Sequence, residues 1–191
     1  MTTGRLEAFT DAVIAIVITI LVLELRVPHE PELAALSKIV PVFLTYVLSF
    51  VYLGIYWNNH HHMMVLTERV NGKILWANLH LLFWLSLVPF ATAWMGENDF
   101  AEVPTALYGV DLLLAAIAYF ILQTAIISEQ GSDSRLRAAL GRDLKGKISP
   151  LLYFAAIPLA FVSPWIALAV YVFVALMWLV PDRRIESAVS E

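Results

Sequence analysis

The chain has 191 residues and a formal net charge of −4; 60% of its residues are hydrophobic and only 15% are charged. Soluble domains are about half apolar and about a quarter charged, so this composition, with a mean hydropathy of +0.76, indicates an integral membrane protein. The lack of cysteine excludes a disulfide framework, a thiolate zinc site and a cysteine nucleophile, and the modest negative charge argues against a nucleic-acid partner.

The first apolar segment, RLEAFTDAVIAIVITILVLEL at 5–25, begins with three charges, Arg5, Glu7 and Asp11. The remainder is almost bare hydrocarbon, with Thr19 as its one hydroxyl before the final acidic residue. The apolar run is too long for an ordinary signal peptide and no small-residue cleavage site ends it. We therefore expect a retained transmembrane helix.

A spanning helix needs about 20 mostly apolar residues, and the chain offers six candidate segments. They are 6–26, 38–60, 73–95, 104–128, 148–163 and 165–181. The last two are short, and the sequence VSPW at 162–165 predicts a tight turn, because a residue before proline avoids the helical region. We expect a hairpin of two short spans there, with one long interrupted helix as the alternative. The whole chain, 1–191, is then one all-α domain of six transmembrane helices.

The basic residues predict the orientation of these spans. A cytoplasmic N-terminus leaves only Arg26 and Lys38 outside. Ten basic residues then lie inside: Arg5, Arg69, Lys73, Arg135, Arg137, Arg142, Lys145, Lys147, Arg183 and Arg184. This bias predicts a multi-pass protein of the cell membrane with both termini in the cytoplasm. The polar loop 128–147 has room for a short amphipathic helix.

Polar groups from three spans fall at one depth near the cytoplasmic side. The first span contributes Thr10 and Asp11, and an intramembrane carboxylate is costly unless it is paired. The second ends with YWNNHHHMM and the third begins with ILWANLH. We expect Asp11 to bond within this group: Asn58, Asn59, His60, His61, Asn78 and His80. Trp57, His60, His61, Asn78 and His80 are the predicted inner-leaflet polar network.

Two further features have competing interpretations. Consecutive histidines at 60–62 point about 100° apart and cannot converge on one ion, so a metal or haem site would need one of them to combine with His80. Hydrogen-bonded interfacial histidines are the preferred interpretation. Asp111 lies toward the outer end of the fourth span, and we expect it to snorkel to the interface rather than to be buried. No HExxH, GxSxG, P-loop or GxGxxG motif occurs, so we expect no enzyme and no cofactor.

One face of the first helix carries a stripe of large aliphatic side chains at spacing i, i+4, i+7: Ile16, Ile20 and Leu23. Arg5 and Phe9 extend this stripe toward the cytoplasm, and Thr19 lies on its edge. Thr10 and Asp11 fall more than about 100° away, on the rear, and residue 17 is about 100° from residue 16. On periodicity alone, the simpler interpretation is that this stripe faces lipid or a neighbouring helix.

The motif R-x-x-x-F-[ST]-D, here Arg5, Phe9, Thr10 and Asp11, resembles the signature of the transmembrane protein 175 family, the potassium channels of endosomes and lysosomes and their bacterial relatives. That signature usually has serine where this chain has Thr10, which keeps the hydroxyl. The span count matches the bacterial members, and ILWANLHLLFWLSLVPFATAW looks like the family's third helix.

The resemblance implies a homotetramer in which the first helix of each chain lines a central pore. It implies that Ile16 forms the constriction, that Ile20 and Leu23 form further apolar layers, and that Thr19 is associated with preference for potassium. It also implies no TVGYG-type filter, and none occurs in this sequence.

The sequence therefore predicts a potassium-selective channel with a hydrophobic constriction. A proton-coupled transporter that uses Asp11 and the histidines as a relay is the first alternative, although no paired repeats are detectable. A membrane enzyme or haem protein that uses the histidines at 60–62 with His80 is the second.

Overall fold

The structure is a computed structural model that describes residues 2–131, 134–141 and 143–179, and in those residues all regular secondary structure is helical. A 3-10 helix, Leu33–Ile39, precedes the second α-helix. The α-helices are α1 Thr3–Leu23, α2 Val40–Val65, α3 Gly72–Glu97, α4 Glu102–Gln130, α5 Arg135–Leu140, α6 Leu144–Ala160 and α7 Pro164–Leu179. Arg142 and residues 180–191, with the basic residues Arg183 and Arg184, lie outside the described residues.

In the described part of the chain, four helical segments are long and apolar enough to cross a membrane: Thr3–Leu23, Leu33–Val65, Gly72–Glu97 and Glu102–Gln130. They correspond to the four longest predicted spans. The helices α6 and α7 have 17 and 16 residues. The chain reverses between them, where the amide of Ser163 donates to the carbonyl of Leu159 and Pro164 begins α7. The predicted turn is confirmed, and the alternative of one long interrupted helix is wrong.

The polar loop after α4 contains α5, which confirms the expected short helix. The hydroxyl of Ser134 accepts a hydrogen bond from the amide of Arg137 and so caps α5. Leu136 and Ala139 are buried on one side of this helix, which ties the loop to the bundle. The next helix, α6, is capped by Asp143, whose carboxylate accepts a bond from the amide of Gly146.

The long helices run antiparallel to their chain neighbours, so α1 and α3 begin at the end of the bundle where α2 and α4 finish. We call this the N-terminal end of the bundle. One core lies among α1, α2, α3, α4 and the short α5, and a second lies among α2, α3, α4, α6 and α7. At the opposite end, a Cβ added to Gly96 of α3 would lie 2.8 Å from Cα of Val42, so the absence of a side chain lets α2 and α3 pack closely.

Candidate functional site

The first helix has a buried face and an exposed face. Its buried residues recur every three or four positions, as packing of one helical face requires: Leu6, Thr10, Ile14, Val17 and Leu21. The exposed face carries Phe9, Ile16, Ile20 and Leu23, with exposed fractions of 46%, 57%, 38% and 78%. Arg5 and Thr19 are exposed with them. We call Ile16, Thr19, Ile20 and Leu23 the α1 front.

The hydroxyl of Thr19 is bonded within its own helix. Its Oγ1 donates to the carbonyl oxygen of Ile16 at 2.8 Å, while the side chain remains exposed. The oxygen of Thr19 is therefore the one side-chain polar atom among large aliphatic groups on the α1 front.

The rear of α1 is joined to α2 and α3 by a buried hydrogen-bonded chain. Asn78 donates through Nδ2 to Oγ1 of Thr10 at 2.8 Å, and its Oδ1 lies 2.8 Å from Nε2 of His60. All three side chains are fully buried. Since Asn78 Oδ1 can only accept, Nε2 of His60 carries the proton in this arrangement. Three helices are thus linked through one amide.

Two further contacts join α1 to α2 near the N-terminal end of the bundle. Trp57 donates through Nε1 to Oδ1 of Asp11 at 3.0 Å. Nδ1 of His61 lies 2.6 Å from Oε1 of Glu7. Asp11 is therefore bonded to the indole of Trp57 rather than to one of the asparagine or histidine side chains expected from the sequence. Glu7 is a partner that sequence reasoning missed, although it lies one turn before Asp11 on the same helix.

The remaining members of the predicted network face other directions. His80 accepts a bond from Trp84 Nε1 at 3.0 Å, within α3, and its side chain is exposed. Asn59 donates to the carbonyl of Ile55 within α2. His80 differs from Asn78 by two positions, or about 200° of rotation, so only one of them can face α1. In the described part of the chain, no three His, Cys, Asp or Glu residues lie together as a metal site needs.

Asp111 does not snorkel to a membrane interface, contrary to the expectation from sequence. Its exposed fraction is 5%, and neither carboxylate oxygen has a hydrogen-bond partner among the described residues. The cause is its surroundings, because α4 packs against α3, α6 and α7 and leaves this residue no route to solvent.

Together these contacts hold α1 on α2 and α3 through its rear and leave the α1 front uncovered in a single chain. The profile of the endosomal/lysosomal potassium channel TMEM175 family matches residues 5–89, a range that includes α1 from Arg5 onward and the residues of these contacts. A potassium channel of Chryseobacterium is 53% identical over 191 residues, and the match covers 100% of both chains. The chain belongs to the TMEM175 family.

Other TMEM175 relatives match almost as completely. A potassium channel of Streptomyces collinus is 31% identical over 188 residues, covering 92% of this chain and 90% of that one. The crystal structure of a lysosomal potassium-selective channel TMEM175 homolog from Chamaesiphon minutus has a TM-score of 0.82 and 30% identity. It covers 93% of this chain and 96% of its own. The resemblance carried by Arg5, Phe9, Thr10 and Asp11 is thus confirmed, and this TMEM175-family chain is a multi-pass membrane protein.

Proposed function

We propose that the chain forms a homotetrameric, potassium-selective channel in the cell membrane, with four copies of α1 around a central pore. The α1 front carries this proposal, because a helix anchored through its rear presents large aliphatic side chains that a single chain does not cover. The relatives named as potassium channels support the choice of ion.

The proposed constriction is a ring of four Ile16 side chains, followed by layers of Ile20 and Leu23. A ring of aliphatic groups offers no oxygen to replace the hydration water of an ion, and a narrow apolar constriction stops conduction by dewetting. When the ring widens, potassium passes more easily than sodium because it holds its water less tightly. Thr19 supplies hydroxyl oxygens just beyond the ring. No cofactor takes part in this mechanism.

The channel experiment is potassium and sodium flux in liposomes that contain the purified protein. We expect potassium flux to exceed sodium flux. Ile16→Asn should wet the ring, raise the basal current and reduce the preference for potassium. Equal currents and selectivity in this variant and the wild type would show that Ile16 lies outside the permeation path.

The control for Ile16 should be an exposed residue elsewhere on α1. Val17 is unsuitable because it is 4% exposed and belongs to the core, so a polar substitution there would destabilise the fold. Val22 is 47% exposed and lies about 120° from Ile16 around the helix. Val22→Asn should leave the selectivity close to that of the wild type.

We also propose six spans with both termini in the cytoplasm, since α6 and α7 form a hairpin beside α4 and the basic residues favour this orientation. The chain has no cysteine, so single cysteines test the topology. Ala34→Cys and Ala138→Cys introduce exposed thiols in the 3-10 helix and α5. An impermeant maleimide should label only Ala34→Cys in intact cells, and labelling of only Ala138→Cys would contradict the orientation.

The alternative of a proton-coupled transporter finds less support in the geometry. Asp11 bonds to Trp57, His61 to Glu7 and His60 to Asn78, so these hydrogen bonds form three separate groups rather than one relay. Potassium flux that depended on an imposed pH gradient would favour the transporter, and flux independent of it would favour the channel.

A further inference from the structure

A second candidate site lies away from α1. A cavity of about 370 Å³ is bounded by α2, α4, α6 and α7. This volume falls in the range of about 300–1,000 Å³ that is usual for small-molecule sites. The proposed permeation path does not use it.

One end of the cavity is polar. Asn58 and His62 line it from the last turns of α2, and Gln123 lines it from α4. Asp143 and Lys145 line it from the start of α6. The Asp143 carboxylate already accepts bonds from the amide of Gly146 and, at 3.4 Å, from Gln123. Lys145 adds an ammonium group to this end, which lies at the N-terminal end of the bundle.

The other end of the cavity is apolar. Phe50, Ile55 and Ala116 line it, together with the rings of Tyr52 and Tyr153. The hydroxyls of these two tyrosines are satisfied inside the protein: Tyr52 donates to the carbonyl of Tyr171, and Tyr153 donates to the hydroxyl of Tyr52. The apolar end of the cavity therefore offers mostly carbon surface to an occupant.

The length of the cavity matches one leaflet of a bilayer. Its α2 wall extends from Phe50 to His62, and twelve residues of α-helix rise about 18 Å. The hydrocarbon core of a bilayer is about 30 Å thick, so this wall is slightly longer than half of it. The cavity is polar at the N-terminal end of the bundle and apolar toward the middle of the bundle. The lipid leaflet beside it changes from polar headgroups to apolar chains in the same direction.

We propose that this cavity is a binding site for a membrane phospholipid. One acyl chain occupies the apolar part between α2 and α4, and the phosphate lies at the polar end, within reach of the Lys145 ammonium and the Asn58 amide. Lysine is a common phosphate ligand as a compact point charge. The occupant stabilises the packing of α6 and α7 on α2 and α4, whether or not the α1 front forms a pore.

The chain offers a substitution that fills the cavity without a steric clash at its Cβ. Gly54 lines the cavity, and a Cβ built on it meets nothing within 4 Å. Gly54→Leu therefore occupies the space of the acyl chain. Ala169→Leu is the matched control, because Ala169 is exposed on α7 and does not line the cavity. Ala116→Leu fills the same cavity from α4 if Gly54→Leu does not fold.

The experiment is native mass spectrometry of the purified full chain in non-ionic detergent, with phosphatidylethanolamine, diacylglycerol of the same chains, or inorganic phosphate added. We expect the wild type and Ala169→Leu to retain the phospholipid in preference to diacylglycerol. Gly54→Leu should retain about tenfold less phospholipid. Lys145→Gln should remove the preference for phospholipid over diacylglycerol.

Two results would overturn the proposal. Equal retention of phospholipid by the wild type, Gly54→Leu and Ala116→Leu would show that the lipid binds elsewhere. Inorganic phosphate bound at the same occupancy as phospholipid in the mass spectra would show an anion site with no role for the acyl chain. Neither result depends on ion flux, so the lipid site and the proposed channel are tested separately.

Discussion

The indole nitrogen of Trp57 lies 3.0 Å from the carboxylate of Asp11. This contact joins the C-terminal third of α2 to the start of α1. Trp57 is 47% exposed, so this bond lies at the edge of the contact between the two helices rather than inside it. Among the described residues, the motif aspartate thus has one hydrogen-bonded partner, and that partner is an aromatic side chain of α2.

Removing the hydrogen bond between Trp57 and Asp11 should reduce stability and assembly more than it changes ion selectivity. Asp11→Ala or Trp57→Phe should lower stability by about 0.5–1.5 kcal/mol through the lost hydrogen bond, less than the about 3–5 kcal/mol of a fully buried charged pair. Asp11→Asn keeps an acceptor oxygen and should cost less. Thermal unfolding of the singles and of the double variant gives the coupling energy. Additive effects, or a normal assembly with altered selectivity, would contradict this role.

The Thr10 hydroxyl should matter more than its methyl group. Thr10→Val removes the acceptor for Asn78 Nδ2 in a fully buried position, which should cost about 1–3 kcal/mol. Thr10→Ser keeps the oxygen and loses one methyl, worth about 0.8 kcal/mol. Melting temperatures in detergent should rank wild type, Ser and Val in descending order. If Val were as stable as Ser, the bond to Asn78 would contribute little.

Alanine should have opposite effects at two helical glycines. Gly54→Ala should stabilise by about 0.5–1 kcal/mol, since alanine is the better helix former and its Cβ meets nothing within 4 Å. Gly96→Ala brings Cβ to 2.6 Å from Thr45 Oγ1 and 2.8 Å from Val42 Cα, where backbone must shift. Overpacking of this kind costs about 1–3 kcal/mol. Equal melting temperatures for the two variants would show that α2 and α3 separate easily.

Asp111→Leu should raise the melting temperature. The carboxylate is buried without a partner among the described residues, and a buried polar group without a bond costs about 1–3 kcal/mol. Asp111→Asn, which keeps polar atoms, is the comparison and should gain less. A lower melting temperature for the leucine variant would show that Asp111 has a partner in the membrane-embedded protein.

The helical fold could be read largely from hydropathy and proline positions. Long apolar runs locate the four longest helices, and Pro164 locates the reversal between α6 and α7, because both signals are local. The two faces of α1 follow from periodicity in the same way. The hydroxyl kept at Thr10 indicated a hydrogen-bonding role, and the structure supplies Asn78 as its partner.

The pairing of polar residues could not be read in the same way, because depth in a membrane does not fix rotation about a helix. His60 and Asn78 face each other, whereas His80, two positions later, points to Trp84. Depth alone does not distinguish Glu7 from Asp11, which lies one turn further along α1, so it could not predict that His61 contacts Glu7. The burial of Asp111 depends on helices that surround α4, which no local pattern reveals.

The bond from Thr19 to the carbonyl of Ile16 has a consequence for the sign of the permeating charge. Because the hydroxyl hydrogen is committed to the helix backbone, only the oxygen lone pairs remain to meet an ion beside the α1 front. In the proposed tetramer, four such oxygens would give this level of the pore a negative electrostatic potential without any ionised group. Chloride would find no hydrogen-bond donor among these hydroxyls. The orientation of the four hydroxyl dipoles would therefore exclude anions.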